Sequence, residues 1–305
     1  MKPIDIYLAQ KTANLLNKYL IYRSQANDPK IDPWEHLFSN GAESIDFKID
    51  TKLTIKLYKD SKLSKLIYQN FEEDEKIFIK HFIRPQDIIL DIGANIGLHT
   101  LYAANRLAGQ GLVYAFEPTP QTYLRLEENI QHNNLQSVVK INPIGLSDQT
   151  GSLMLNITRD GYDAWNSFVQ LKHVPIDDQV KVNVMSADDF IAQEQIDLNK
   201  ISLIKIDVEG WEINVLDGME SLLKNIDFRG CLLIEFTEEN MFRAGYSCRD
   251  LYRYMEELGY RWYKFDASSN QIAPEELKAY YPYENLIATK FAEEINLRLS
   301  EKAVL

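Results

Sequence analysis

The chain has 305 residues, enough to bury one full core and leave residues for an extension. A hydrophobic fraction of 45% and a charged fraction of 26% are ordinary for a globular protein and exclude global disorder. The net charge of −12, from 33 basic and 45 acidic residues, opposes binding to nucleic-acid phosphates or to an anionic membrane surface.

Residues 4–23 carry Ile4, Leu8, Leu15, Leu16, Tyr19 and Tyr22 at roughly helical spacing, which predicts an amphipathic helix. Polar and charged residues run through this stretch, so it reads neither as a signal peptide nor as a membrane span, and no later segment reads as a span. Cys231 and Cys248 are the two cysteines; they supply neither a disulfide framework nor a zinc quartet, and a cytoplasmic setting is expected. Residues 27–44, with Pro29, Pro33 and Gly41, read as a loop, 47–60 alternate as a hairpin does, and 64–83 read as one helix that Pro85 ends. The expected organisation is therefore an N-terminal extension over 1–63 and a main domain over 64–305. The extension would be a lid, a dimer surface or a docking element for a carrier-bound substrate, so an oligomer is one of its expected uses.

From residue 87 the apolar runs IILDIG, GLVYAFE, VVKINPI, ISLIKID and CLLIEF alternate with helical stretches at 96–108, 120–133, 212–224 and 247–258. This rhythm predicts an α/β, doubly wound, mostly parallel sheet, and segments 260–266 and 284–290 read as a late hairpin at its edge. In such sheets ligands bind at the carboxyl ends of the strands.

Asp91-Ile92-Gly93-Ala94-Asn95-Ile96-Gly97 leaves the first of these strands and opens a helix. Its glycines let backbone approach a ligand, Asp91 brings a carboxylate for an ammonium, and the helix start favours an anion, so a zwitterionic amino-acid moiety suits both. Glu117 ends the next strand, where a carboxylate accepts the two hydroxyls of a ribose. Together the two motifs imply a nucleoside ligand. A nicotinamide dinucleotide, and hence an oxidoreductase, is the alternative, but its G-x-G-x-x-G fingerprint is replaced here by G-x-x-x-G behind an aspartate. A noncatalytic cofactor-binding scaffold is the other alternative.

Over roughly residues 64–266 the sequence resembles the FkbM family of S-adenosylmethionine-dependent methyltransferases. The resemblance rests on LDIGANIGLHT (90–100), AFEPTPQTYLRLEENI (115–130), GLSDQTG (145–151), WNSF (165–168) and IKIDVEGWEINVLDG (204–218). It implies a Rossmann-like class I methyltransferase fold, with a mostly parallel seven-stranded sheet and an antiparallel edge hairpin. It also implies S-adenosylmethionine as cofactor and methyl transfer to a hydroxyl oxygen of a sugar, glycan or natural-product scaffold. Carried over onto this chain, Asp91, Gly93, Asn95 and Gly97 would hold the methionine end, Glu117 the ribose, and Leu146 and Ser147 the adenine. Trp211 and Phe168 depart from the residues usual at their positions, which puts acceptor shape in doubt.

Methyl transfer to oxygen needs a base and a frame that holds the two reactants in line. Asp207, at the end of ISLIKID, and Glu209 are the candidate carboxylates, and His173, in the segment after WNSF, is a candidate histidine base. His99 reads as a packing residue, whereas Glu235, ending CLLIEF, is a candidate substrate ligand. Trp165 and Trp211, with Tyr162 and Phe242, are candidates to stack on an acceptor ring. Asp207 is also the one residue considered for a metal, although metal-free catalysis is the expectation.

Overall fold

The computed structural model describes residues 32–158, 163–169 and 176–301, so the helix expected over 4–23 lies outside the described residues. The described part begins with α1 (Pro33–Leu37), capped by the Asp32 carboxylate on the Trp34 N–H. The expected hairpin follows as β1 (Ser44–Lys48) and β2 (Thr54–Tyr58), with Ser44 opposite Tyr58. The single helix read over 64–83 is instead two, α2 (Lys62–Tyr68) and α3 (Glu73–Phe82). Between them Asn70 and Glu72 have φ of 63° and 51°, a left-handed backbone that ends the first helix. The break carries Glu72 into the interior, where only 8% of it is exposed.

Strand and helix then alternate through β3 (Ile88–Ile92), α4 (Leu98–Arg106), β4 (Leu112–Phe116), α5 (Pro120–His132) and β5 (Val139–Asn142). Here the chain leaves the main sheet. β6 (Gly145–Leu146), β7 (Gly151–Thr158) and β8 (Ile176–Met185) make a separate three-stranded sheet in the order β6-β8-β7. The rhythm resumes with α6 (Ala187–Glu194), β9 (Ile201–Ile206), α7 (Glu212–Asp217), α8 (Glu220–Lys224), β10 (Cys231–Phe236), α9 (Glu238–Arg243) and α10 (Cys248–Glu257). The helix expected over 212–224 is divided at Gly218, whose Cα presses on the Ser147 backbone, where a Cβ would stand 1.9 Å from the carbonyl oxygen. The chain closes with β11 (Arg261–Asp266), β12 (Gln271–Pro274), β13 (Glu284–Thr289) and α11 (Ala292–Ser300).

The main sheet runs β12-β11-β13-β10-β9-β3-β4-β5. The five strands from β10 to β5 are parallel, while β13 lies antiparallel between β10 and β11. The seven-stranded class I methyltransferase sheet is thus present with its antiparallel late strands. An eighth strand, β12, pairs with β11 at the edge. Successive strands step outward in opposite directions from the β3–β9 boundary, so the strand order reverses there, and a ligand crevice opens at such a point.

Alternation along each central strand fills both faces. Ile89, Val113, Ala115, Leu203 and Leu233 point into one core with Phe78, Phe82 and Leu101. Leu90, Phe116, Ile204, Ile206 and Ile234 point into the other with Phe190, Leu216 and Met255. Each such fully buried aliphatic side chain stabilises the fold by roughly 1.5–3 kcal/mol, which is why these strands read as unbroken apolar runs. Trp34, Leu53, Ile55, Leu57 and Leu63 join the first core, so the described part of the extension packs on the main domain. Cys231 and Cys248 are free and buried. No helix among the described residues is long and apolar enough to cross a membrane.

Candidate active site

At the β3–β9 boundary the turn after β3 is held from both sides. The N–H groups of Gly93 and Ala94 donate to the Phe116 carbonyl at 3.1 and 3.0 Å. Gly93 has φ of +80°, and a Cβ on it would stand 1.9 Å from the Asp207 carbonyl oxygen, so only glycine lets the turn lie against the end of β9. Asn95 follows with φ of 49° and donates its N–H to Glu117 Oε2 at 3.0 Å. Glu117 Oε1 accepts from the Thr119 N–H at 2.8 Å, so two backbone groups fix a carboxylate that is 5% exposed.

Two clefts open to solvent flank this turn, and the space within them includes that open solvent. The first, about 530 Å³, is lined by Glu117, Leu146, Phe116 and Phe168. The second, about 740 Å³, is lined by Glu72, His99, Trp165, Lys205, Glu235 and Tyr283, with Leu63, Leu66 and Phe71 at its apolar end. Gly93, Asn95, Ala164, Asp207 and Glu209 line both, and form the wall between them.

The shared wall is acidic. One oxygen from each of Asp207, Glu209 and Glu235 lies within 4.8 Å of the others, a set that could converge on a cation. Asp207 Oδ2 already accepts from the buried Lys205 ammonium at 3.0 Å. Burial works against the charge of Lys205, but Asp207, Asp91 and Glu72 around it outweigh that and hold its pKa above the ordinary lysine range. Burial, together with the charges of Glu209, Asp207 and Glu212, pushes Glu235 well above the usual carboxylate range. Glu209 has φ of 53° and its side chain accepts from Asn240 Nδ2 at 2.5 Å, so a strained backbone is stabilised by tertiary contacts at the wall. Beneath it Glu212 Oε1 accepts from the Val208 and Gly210 N–H groups at 3.3 and 3.1 Å, and burial raises its pKa to about 7.

Several residues singled out from sequence thus converge: Gly93, Asn95, Asp207 and Glu209 on the shared wall, Glu117 and Leu146 in the first cavity, Glu235 and Trp165 in the second. Others stand apart. Asp91 is buried under the turn, where Oδ2 accepts from Thr100 Oγ1 and Oδ1 has no hydrogen-bond partner among the described residues. Gly97 packs against Leu126 and lines neither cavity. Ser147 Oγ accepts from Trp211 Nε1 at 3.1 Å, and this pair lies off both cavities, with the Trp211 ring against Phe168. Phe242 is 79% exposed, and Tyr162 and His173 lie outside the described residues.

Sequence reasoning missed Glu72, Lys205 and Tyr283, and read His99 only as packing. A lysine inside the apolar run ISLIKI, on a strand buried from end to end, was the available signal for Lys205. Glu72 and Tyr283 gave none, since they reach the cavity from opposite ends of the chain.

The family model described as the methyltransferase FkbM domain matches residues 91–262, more than half of the chain. The chain belongs to that family. Among FkbM-related proteins, Methyltransferase 1 of Beauveria bassiana is 34% identical over 155 residues, which span 45% of this chain and 60% of that protein. Hexuronic acid methyltransferase AglP of Haloferax volcanii is 27% identical, with 52% of this chain and 60% of AglP covered. The 31-O-demethyl-FK506 methyltransferase FkbM of Streptomyces tacrolimicus is 29% identical, with 48% and 65% covered. The chain therefore spans less than two thirds of the length of these relatives. A solved FkbM methyltransferase from Methylobacillus flagellatus aligns at a TM-score of 0.43 and 16% identity, covering 67% of this chain and 43% of that one.

Proposed function

We propose that this FkbM-family protein transfers the methyl group of S-adenosylmethionine to a hydroxyl oxygen of a sugar, glycan or natural-product scaffold, working in the cytoplasm on small or carrier-bound acceptors. The observation that carries this reading is the pair of cavities meeting at one wall, with a ribose-type carboxylate on one side and a polar and aromatic chamber on the other. The acceptors named for two relatives, a hexuronic acid and demethylated FK506, support hydroxylated acceptors. The net charge of −12 argues against nucleic acid.

The residues present fit the cofactor. Glu117 lines the first cavity, where its carboxylate would accept the two ribose hydroxyls. Leu146, Phe116 and Phe168 offer apolar contact to an adenine. The Gly93–Asn95 turn would take the methionine end, with the unpaired Asp91 Oδ1 behind it adding negative charge toward an ammonium. When bound, S-adenosylmethionine supplies an electrophilic methyl group on a sulfonium. Asp207 and Glu209 then orient the acceptor at the shared wall, Lys205 holds Asp207 in place, and Trp165 offers its ring to the acceptor.

Calorimetry with S-adenosylhomocysteine tests the cofactor, and mass spectrometry of a panel of methyl glycosides and macrocyclic alcohols incubated with S-adenosylmethionine tests the acceptor. The expected result is one bound S-adenosylhomocysteine and a methyl-sized mass gain on a hydroxylated member. Binding of a nicotinamide dinucleotide in place of S-adenosylhomocysteine would overturn the reading. Cofactor binding without methylation of any member would favour a scaffold.

A further inference from the structure

His99 is the second residue of α4 and opens onto the acceptor cavity, although only 8% of it is exposed. Its Nε2 stands 3.2 Å from Glu72 Oε2, off the line of a straight hydrogen bond, in a contact between two buried side chains. The other Glu72 oxygen accepts from Tyr283 OH and from Asn285 Nδ2, the latter at 2.7 Å. Two donors on Oε1 therefore pin the carboxylate so that Oε2 faces the imidazole. Burial opposes the charge of Glu72, but the Lys205 ammonium and the Tyr283 hydroxyl both favour it, so Glu72 stands beside the ring as an anion. A proton on Nε2 would face the Glu72 carboxylate and leave the Nδ1 lone pair to accept a proton, the arrangement a histidine base needs.

We propose that His99 is the general base for the acceptor hydroxyl, with Glu72 as its positioning residue. This rests on the assignment of the second cavity to the acceptor. Each of the nearby carboxylates already accepts a hydrogen bond: Asp207 from Lys205, Glu209 from Asn240, and Glu235 from Thr237. In the transfer, the oxygen–methyl bond forms as the methyl–sulfur bond breaks and its electron pair stays on sulfur. The hydroxyl proton passes to His99 Nδ1, and the imidazolium so formed is stabilised by the Glu72 carboxylate.

The first test needs no acceptor. Diethyl pyrocarbonate applied to the folded wild-type protein with S-adenosylhomocysteine bound is expected to place one carbethoxyl group on His99, read by peptide mass spectrometry. An unmodified His99 means that its ring nitrogen does not face the cavity, and overturns the proposal. The second test uses the methyl glycoside of the panel that is methylated fastest. His99→Gln and His99→Ala are expected to lower kcat by at least about 10²-fold with unchanged S-adenosylhomocysteine affinity, and added imidazole is expected to restore part of the turnover of His99→Ala. Glu72→Gln is expected to lower kcat with little change in KM. Wild-type turnover in His99→Gln, or a loss in His99→Ala that imidazole does not reverse, overturns the base assignment. Absence of methylation by the wild type on every glycoside counts instead against the acceptor reading on which it rests.

Discussion

The cavity facing Glu117 and the cavity facing His99 share one wall, but they are built from different materials. Much of the first comes from residues at strand ends and turns: the turn at Gly93–Asn95, the segment 116–119, and the end of β6. The second is built of side chains delivered from far apart: Leu63 and Leu66 on α2, Glu72 from the broken helix, His99 on α4, Lys205 on β9, Glu235 on β10 and Tyr283 just before β13. A site set on such a turn tolerates little change in residue type at Gly93 and Asn95, where close approach and left-handed dihedrals are demanded. A site made of side chains can be altered one residue at a time while the sheet stays intact.

The comparison is broken most severely at the wall itself. Lys205→Met removes the buried ammonium that faces Asp207, Asp91 and Glu72. Leaving buried carboxylates without their cation costs about 3–5 kcal/mol, so thermal denaturation is expected at a markedly lower temperature, with both cavities affected. An unchanged melting temperature would mean that these carboxylates are solvated or protonated in the folded protein.

The pH dependence of stability sharpens the contrast by separating the second cavity from the wall. Glu72, held to about 2 against an ordinary 4.5, contributes stability that is present above pH 4.5 and is lost as the pH falls toward 2. Glu212 and Glu75 have the opposite sign, since burial raises both to about 7 from 4.5. They bind protons more tightly in the folded state, so their contribution is present below pH 4.5 and is lost as the pH rises through 7. Each shift corresponds to a few kcal/mol at most, of order 3. Melting temperatures measured from pH 3 to 8 are expected to peak on the acid side of neutrality. Glu212→Gln should flatten the alkaline limb and Glu72→Gln the acid limb; exchange of those two outcomes would reverse the electrostatic assignment.

The smallest effect is confined to the first cavity. Glu117→Ala is expected to weaken S-adenosylhomocysteine by about 10–100-fold, the loss of charge-assisted hydrogen bonds worth about 1.5–3 kcal/mol, while glycoside KM changes little. A glycoside KM that rose as much as the cofactor constant would show that the two cavities do not act as separate sites.

The sequence by itself determined the α/β alternation, the Gly93–Asn95 turn, Glu117 at the end of β4 and the carboxylates at the end of β9. Each of these depends on local demands: continuous apolar strands, a glycine where no Cβ fits, and polar residues where a buried strand emerges. The family motifs lie in the same segments and were legible for the same reason. Only the tertiary structure decided that the predicted helix over 64–83 breaks at Asn70–Glu72, that β7 and β8 form a separate sheet with β6, and that Trp211 turns to Ser147 and away from both cavities. It alone also brought Glu72, His99 and Tyr283 together, residues separated by as many as 211 positions. No local pattern marks such a meeting, because the desolvation and charge that give Glu72 its role arise only when the sheet and its flanking helices have closed around it.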